Sequence, residues 1–205
     1  MLEDLRRPMV AGYQDIGKRL VVAQQHVEAR PQLLDQISFQ QQRLGLDLDA
    51  VARALEAFDI PGGRGELKQH GALTVLNDGY NANPQSFQSA IALAQALRRG
   101  RRLVFVAGTM RELGEHADTL HAEVAGALAA MEPELLALVG EFVPAFAPFR
   151  ERYAGRLLEA ADAEAMGPLL APRLAGDELV VLKGSRGVAL ERILPFILPP
   201  AATTA

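Results

Sequence analysis

The chain has 205 residues and a formal net charge of −4, with 49% hydrophobic and 22% charged residues. These proportions are typical of a soluble globular protein, and the acidic balance argues against a nucleic-acid surface. The sequence contains no cysteine, which excludes disulfides and thiolate metal sites. It also contains no apolar run long enough to span a bilayer, and its first residues lack the apolar core of a secretory signal. We therefore expect a cytoplasmic protein that binds neither nucleic acid nor membrane.

The first third of the chain predicts a mainly helical segment over residues 1–60. Its clearest helix is Leu48–Phe58, where apolar residues recur on one helical face. Pro61, Gly62 and Gly63 end that helix, and we interpret residues 61–70 as a hinge.

Residues 71–198 predict an α/β domain, because buried strands and amphipathic helices alternate along them. Four apolar runs predict strands, and four longer segments predict helices. The predicted strands are Leu73–Leu76, Leu103–Ala107, Leu135–Val139 and Leu179–Leu182. The predicted helices are residues 83–97, Asp118–Met131, Ala163–Leu170 and Val188–Ile197. A shorter helical piece is predicted over Val143–Phe149. Such an alternation favours a Rossmann-like, mostly parallel sheet with flanking helices, and residues 199–205 read as a frayed tail.

Two polar loops follow predicted strands, and ligands in such folds bind at the carboxyl ends of strands. The loop over residues 77–84 offers amides, a carboxylate and a helix N-terminus, which suit a ribose or an anion. A second loop, residues 183–187, places Lys183 and Arg186 between glycines, which suits phosphate or carboxylate. Either loop is also compatible with a turn whose polar groups only satisfy the backbone.

Several catalytic signatures are missing from the sequence. It has no HExxH pair, no GxSxG elbow, no GxGxxG after the first predicted strand and no GxxxxGK[ST] loop. These absences weaken the cases for a zinc hydrolase, a serine hydrolase and a dinucleotide-binding protein. We predict no metal site.

Four segments in fixed order resemble the carboxyl-terminal region of the Mur ligase superfamily, and within it the ligases that add D-alanyl-D-alanine to UDP-N-acetylmuramoyl-tripeptide. They are PGGRGE, LNDGYNANPQS, VAGTMRELGEHADTLH and VVLKGSRG. The resemblance implies an amide-forming ligase of peptidoglycan precursor synthesis that uses ATP and Mg²⁺ and proceeds through an acyl phosphate. It also implies three small-molecule substrates: ATP, D-Ala-D-Ala and UDP-muramoyl-tripeptide.

The resemblance assigns roles residue by residue. It places five residues at the nucleotide, namely Arg64, Asp78, Tyr80, Asn81 and Asn83. Of these, Arg64 would contact the ATP phosphates and Asp78 the ribose. It directs three residues at the substrate carboxylate or the developing phosphate charge: Lys183, Ser185 and Arg186. It gives His121 a packing role and names no general base. Two positions depart from the family pattern, with Gly79 in place of the usual serine and Thr109 in place of an acid.

The P-loop of the family's central domain does not occur in these 205 residues. We therefore expect residues 1–60 to be a remnant of that ATP-binding domain or a replacement for it. A separate chain could also supply the ATP-binding domain. Three other hypotheses remain open from sequence: a non-catalytic domain that binds nucleotide, dipeptide or a cell-wall enzyme; another Mur-type ligase, such as a folylpolyglutamate or cyanophycin synthetase; and a flavodoxin-like domain.

Overall fold

The computed structural model describes residues 62–198, and within them the predicted α/β architecture is confirmed. Six strands form one sheet in the order β1-β2-β6-β3-β4-β5. Only β1 is antiparallel to its neighbour, and the other strand pairs are parallel. The helical segment predicted over residues 1–60 and the frayed tail at 199–205 lie outside the described residues.

The elements follow one another in the expected alternation. The strands are β1 Glu66–His70, β2 Leu73–Asp78, β3 Leu103–Gly108, β4 Leu135–Val139, β5 Leu157–Ala160 and β6 Leu179–Lys183. The helices are α1 Pro84–Arg98, α2 Ala117–Met131, α3 Phe142–Ala145, α4 Ala163–Leu170 and α5 Leu194–Ile197. Short 3₁₀ turns connect several of them, including Gly114–His116, Arg186–Val188 and Leu190–Ile193. None of the helices within residues 62–198 has the length and hydropathy needed to cross a bilayer.

The sheet is buried on both faces, which explains why its central strands are apolar throughout. Every residue of β3, β4 and β6 is buried. Alternate side chains enter two separate cores, since successive residues of a strand point to opposite faces. One core contains Phe105 of β3 and the inner faces of α1 and α2. The other contains Val104 of β3 and the inner faces of α4 and α5.

Helix α1 begins where local chemistry requires it. Asn83 is in an extended conformation and caps the helix, and its side chain accepts a hydrogen bond from the Ser86 amide at 2.8 Å. The Ser86 hydroxyl accepts in return from the Asn83 amide at 3.0 Å, which completes a capping box. Pro84 occupies the first helical position, where its missing N–H costs nothing. The start of α1 therefore agrees with the helix predicted over residues 83–97.

Three features of the sheet and its last helix differ from the sequence prediction. Strand β1 lies within the stretch interpreted as a hinge, and β5 was not predicted. Both are edge strands, which are often short and polar and so give little hydrophobic signal. The helix predicted over Val188–Ile197 is instead a series of 3₁₀ turns followed by α5. Ala189 has φ 56°, a left-handed conformation that no helix interior accommodates.

A buried carboxylate closes the loop that leads into β6. The Glu178 side chain is fully buried, and its oxygens accept hydrogen bonds from the backbone amides of Ala175 (2.7 Å), Gly176 (2.9 Å) and Asp177 (3.1 Å). The Arg102 guanidinium pairs with it at 3.0 Å. Burial raises the pKa of Glu178, but the amide hydrogen bonds and the Arg102 charge outweigh that effect and hold the pKa below its usual value.

We predict that Glu178→Gln lowers the free energy of unfolding by about 2 kcal/mol at pH 7, because the ionised carboxylate is the better acceptor for several amides. A carboxyl group whose pKa is lower in the folded than in the unfolded protein stabilises the fold at pH values above the unfolded pKa. This stabilisation is lost as the pH falls through the folded pKa. The difference between wild type and variant should therefore shrink below about pH 4 in urea titrations. The exposed α2 residue Glu123 provides a matched control. A Glu178→Gln effect that is the same at pH 7 and pH 3 would contradict this account.

Candidate functional site

The two polar loops singled out from sequence and the loop after β3 meet at one edge of the sheet. β6 lies between β2 and β3, and the register places Lys183 beside Asp78 on one side and Ala107 on the other. Because these strands are parallel, the segments that follow them emerge side by side. The structure therefore brings together residues 77–84, 109–113 and 184–188, and the edge that they form is called the carboxyl edge below.

A buried lysine lies at the centre of this edge. Lys183 is 1% exposed, and its Nζ forms an ion pair with Asp78 Oδ2 at 3.0 Å. The same Nζ donates to the Asn81 carbonyl at 2.5 Å and to the Asp78 carbonyl at 3.4 Å. The Phe87 ring closes the pocket, with its centroid 5.8 Å from Nζ. The lysine thus joins β6 to the turn that follows β2.

A second set of contacts holds that turn from β1. The Asn77 side chain is buried, donates to Glu66 Oε2 at 3.3 Å and accepts from the Gly79 amide at 3.4 Å. The Tyr80 amide donates to the Gly63 carbonyl at 2.9 Å. Burial raises the pKa of Glu66, but hydrogen bonds from Lys68, Asn77 and the Gly63 backbone, together with the Lys68 charge, lower it below its usual value. An ionised Glu66 can therefore hold Asn77 in place.

Tyr80 projects from the turn and carries two guanidinium groups near its ring. The Arg64 Cζ lies 3.9 Å from the ring centroid, and the Arg186 Cζ lies 5.8 Å from it. Arg186 also pairs with Glu191 at 3.2 Å. All three side chains of this group, Arg64, Tyr80 and Arg186, are solvent-accessible. The arrangement presents an aromatic face and two cations to solvent, which suits an anionic ligand with a planar or phosphate group.

The two asparagines predicted at the nucleotide engage the backbone. Asn83 Oδ1 caps α1, and Asn81 Oδ1 lies 2.8 Å from the Ala82 amide. Both therefore shape the turn. Asn81 and Asn83 are exposed, so their amide NH₂ groups lie within reach of solvent.

Ser185 connects the last loop to the middle one. It is buried, its amide donates to the Thr109 carbonyl at 3.1 Å, and its hydroxyl accepts from the Arg111 amide at 2.8 Å. The Arg111 guanidinium lies so close to Gly187 that a side chain there would collide with it. Thr109 in turn accepts from the Glu141 amide at 3.0 Å. These bonds fix the relative positions of the loops after β6, β3 and β4.

His121 supports the middle loop from α2. It is 1% exposed, its Nε2 accepts from the Met110 amide at 2.9 Å, and its Nδ1 lies 2.7 Å from the Ala117 carbonyl. That pairing assigns the proton to Nδ1, since a carbonyl can only accept. The ring also packs edge-on against Phe142. His121 thus has the structural role that the sequence suggested.

Sequence reasoning missed Asn77, Glu66 and Gly63 as supports of the turn. Asn77 stood at the end of an apolar run and could have been noted as a buried polar residue. Glu66 and Gly63 gave no signal, because their partners are 11 and 17 positions away in the chain and the pairing depends on β1. Within residues 62–198, no cluster of three His, Asp or Glu residues could hold a metal ion.

Comparisons with known proteins agree with this geometry. A family described as the Mur ligase, glutamate ligase domain matches residues 63–186. A curated UDP-N-acetylmuramoyl-tripeptide–D-alanyl-D-alanine ligase from Treponema pallidum is 33% identical over 159 residues, which are 76% of this chain and 34% of that protein. The ligase of the same name from Bacillus subtilis is 28% identical over 163 residues, 75% of this chain and 34% of that protein. The chain therefore spans about a third of the length of these relatives.

Solved structures show the same fold. MurF ligase from Thermotoga maritima, in complex with ADP, has a TM-score of 0.60 and 25% identity over 77% of this chain and 35% of its own. MurF from Acinetobacter baumannii has a TM-score of 0.64 and 23% identity over 75% of this chain and 34% of its own. The family match covers more than half of the sequence and includes residues 77–84, 109–113 and 184–186 of the carboxyl edge. The chain belongs to the Mur ligase family, and residues 63–186 are its glutamate ligase domain.

Proposed function

We propose that this chain is the carboxyl-terminal part of an ATP-dependent ligase that joins D-alanyl-D-alanine to UDP-N-acetylmuramoyl-tripeptide during peptidoglycan precursor synthesis. The observation that carries the proposal is the carboxyl edge, where Asp78, Tyr80 and Arg64 stand together on a fold shared with MurF ligases. The relatives from Treponema pallidum and Bacillus subtilis, which carry this activity in their names, support the choice of substrates.

The proposed reaction has two steps. A carboxylate oxygen of the tripeptide attacks the γ-phosphorus of ATP, and ADP leaves, which gives an acyl phosphate. The amine of D-alanyl-D-alanine then attacks the acyl carbon, phosphate leaves with the former carboxylate oxygen, and the amine loses a proton. Such a reaction depends on positioning and on neutralising negative charge more than on a protein nucleophile.

The described residues fit the nucleotide part of this scheme. Asp78 has a side chain that is 29% exposed and only one oxygen paired with Lys183, so its carboxylate can accept from ribose hydroxyls. The Arg64 guanidinium lies over the Tyr80 ring and can reach a phosphate oxygen with its N–H groups. Ser185 and Arg186 occupy the adjacent loop, where Arg186 can face a carboxylate or the transferred phosphate.

The Asn83 and Asn81 amides line the same turn and complete the proposed nucleotide side. Magnesium would enter with ATP. In residues 62–198 there is no carboxylate cluster to hold it, so we assign no metal ligand to this part of the chain.

The activity test is phosphate release from ATP by the purified chain in the presence of both UDP-muramoyl-tripeptide and D-Ala-D-Ala. The proposed function predicts release that requires both acceptor and dipeptide, either from the chain itself or after addition of the amino-terminal two thirds of a relative in trans. Omission of either substrate is the control. Absence of release under both conditions would contradict the proposed activity for this chain.

A second prediction concerns Asp78. Asp78→Ala should weaken ADP binding about tenfold or more, because it removes hydrogen bonds from a charged acceptor. Asp177→Ala is the matched control, since Asp177 is exposed and lies in the loop before β6, at the opposite edge of the sheet. Calorimetry measures both affinities, and circular dichroism establishes that both variants fold. Equal ADP affinity in Asp78→Ala and wild type would remove Asp78 from the nucleotide site.

A further inference from the structure

The Lys183 ammonium has no hydrogen-bonding capacity left for a ligand. A lysine ammonium has three N–H donors. In this chain three protein oxygens lie within 3.4 Å of Nζ: Asn81 O at 2.5 Å, Asp78 Oδ2 at 3.0 Å and Asp78 O at 3.4 Å. The side chain is 1% exposed. Every donor is thus directed at the turn after β2, away from solvent.

Asp78 shows the complementary pattern. Its side chain is 29% exposed, and within residues 62–198 Lys183 is its one ion-pair partner. The pair uses Oδ2, which leaves Oδ1 free to accept from a ligand. The lysine also binds the carbonyl of Asp78 itself, so it fixes the backbone and the side chain of the same residue.

We propose that Lys183 is a positioning residue of the nucleotide site, which holds Asp78 and the Asp78–Asn81 turn in the ligand-binding arrangement and does not itself touch a ligand. The proposal rests on the proposed function for the identity of that ligand, a nucleoside diphosphate or triphosphate. It replaces the direct contact with substrate that the resemblance implied for Lys183. The exposed cations, which include Arg64, Arg111 and Arg186, are then left to face an anionic substrate.

Turning Lys183 away from the turn would be energetically unfavourable. If Lys183 turned toward a substrate carboxylate, it would leave two carbonyls without a donor and a carboxylate without its counter-ion. Unpaired polar groups in a partly buried site are strongly unfavourable. The Arg64 and Arg186 guanidiniums already lie at the surface, so they can reach the same anion without breaking any of these bonds.

The first test requires no ligand. The sequence contains three lysines, Lys18, Lys68 and Lys183, so labelling with ¹⁵N-lysine gives few ammonium signals to assign. We expect slow hydrogen exchange for the Lys183 ammonium in wild type. In Lys183→Met, the amides of Gly79–Ala82 should exchange at least about tenfold faster, while those of β4 and β5 should not change. Arg152→Met, which removes an exposed ion pair with Glu132 far from the turn, is the control and should leave the turn protected. Unchanged exchange at Gly79–Ala82 in Lys183→Met would overturn the proposal.

Lys183→Met could prevent folding, and Asp78→Asn then tests the same link. This variant keeps both carbonyl acceptors of the lysine and removes only the charge of its partner. We expect the Lys183 ammonium to exchange at least about threefold faster than in wild type, because a charged acceptor bonds more strongly than a neutral one. An unchanged rate would show that Asp78 and Lys183 are not linked in solution.

The second test measures ligand affinity in a double-mutant cycle. Lys183→Met should weaken ADP binding about tenfold, and Lys183→Arg should restore part of it by restoring the charge. In a protein that already carries Asp78→Ala, Lys183→Met should cause no further loss of ADP affinity, because Lys183 acts through Asp78. Additive losses would overturn the proposal. So would a loss of D-Ala-D-Ala affinity with unchanged ADP affinity, which would return Lys183 to the substrate.

The two proposals fail separately. If the wild-type chain does not bind ADP, the proposed nucleotide function fails, and the exchange experiments alone decide whether Lys183 holds the turn. If ADP binds and depends on Asp78 but not on Lys183, the proposed function stands and the positioning role falls.

Discussion

A lysine buried at the end of a parallel strand needs partners, because an unpaired ammonium in a protein interior costs several kcal/mol. Lys183 occupies such a position, since β6 has neighbours on both sides and cores on both faces. Its partners come from one segment, the turn that follows β2. The requirement to pair this charge therefore constrains the path of residues 78–81, which lead into the capping box at the start of α1.

The same turn is fixed independently from the antiparallel edge of the sheet. The Asn77 side chain donates a hydrogen bond to Glu66 and accepts one from the Gly79 amide. The Tyr80 amide donates to the Gly63 carbonyl. β1 is short and mostly polar, and its contribution to the cores is small, but β1 and the residues just before it supply these two anchors. Two sets of bonds from opposite directions leave the backbone of the turn little freedom, so Asp78 and Tyr80 project in defined directions.

The sequence predicted the parallel sheet well because its physical cause is local. β3, β4 and β6 are unbroken apolar runs, and Asn83-Pro84 carries a complete helix start. Strand β1 was missed because its residues are mostly polar and partly exposed, and β5 was missed because four residues are too few to show a strand pattern. At the site, the resemblance selected loops that the fold places side by side, but the spacing of residues could not reveal that Lys183 points inward. That direction depends on the register between β2 and β6, which pairs residues more than 100 positions apart.

The carboxyl edge separates the residues that hold the loops from those that are open to ligands. Asn77, His121, Lys183 and Ser185 are all buried and bonded to backbone groups of the loops. Asp78, Tyr80, Arg64 and Arg186 are accessible to different extents, and their charged or aromatic groups remain available. Such a division suits a site that neutralises a polyanion, because a cation that is already paired inside the protein adds little to the binding of an anionic ligand. In the proposed nucleotide site, the buried lysine would contribute through the geometry that it imposes on Asp78, and the exposed arginines through their charge.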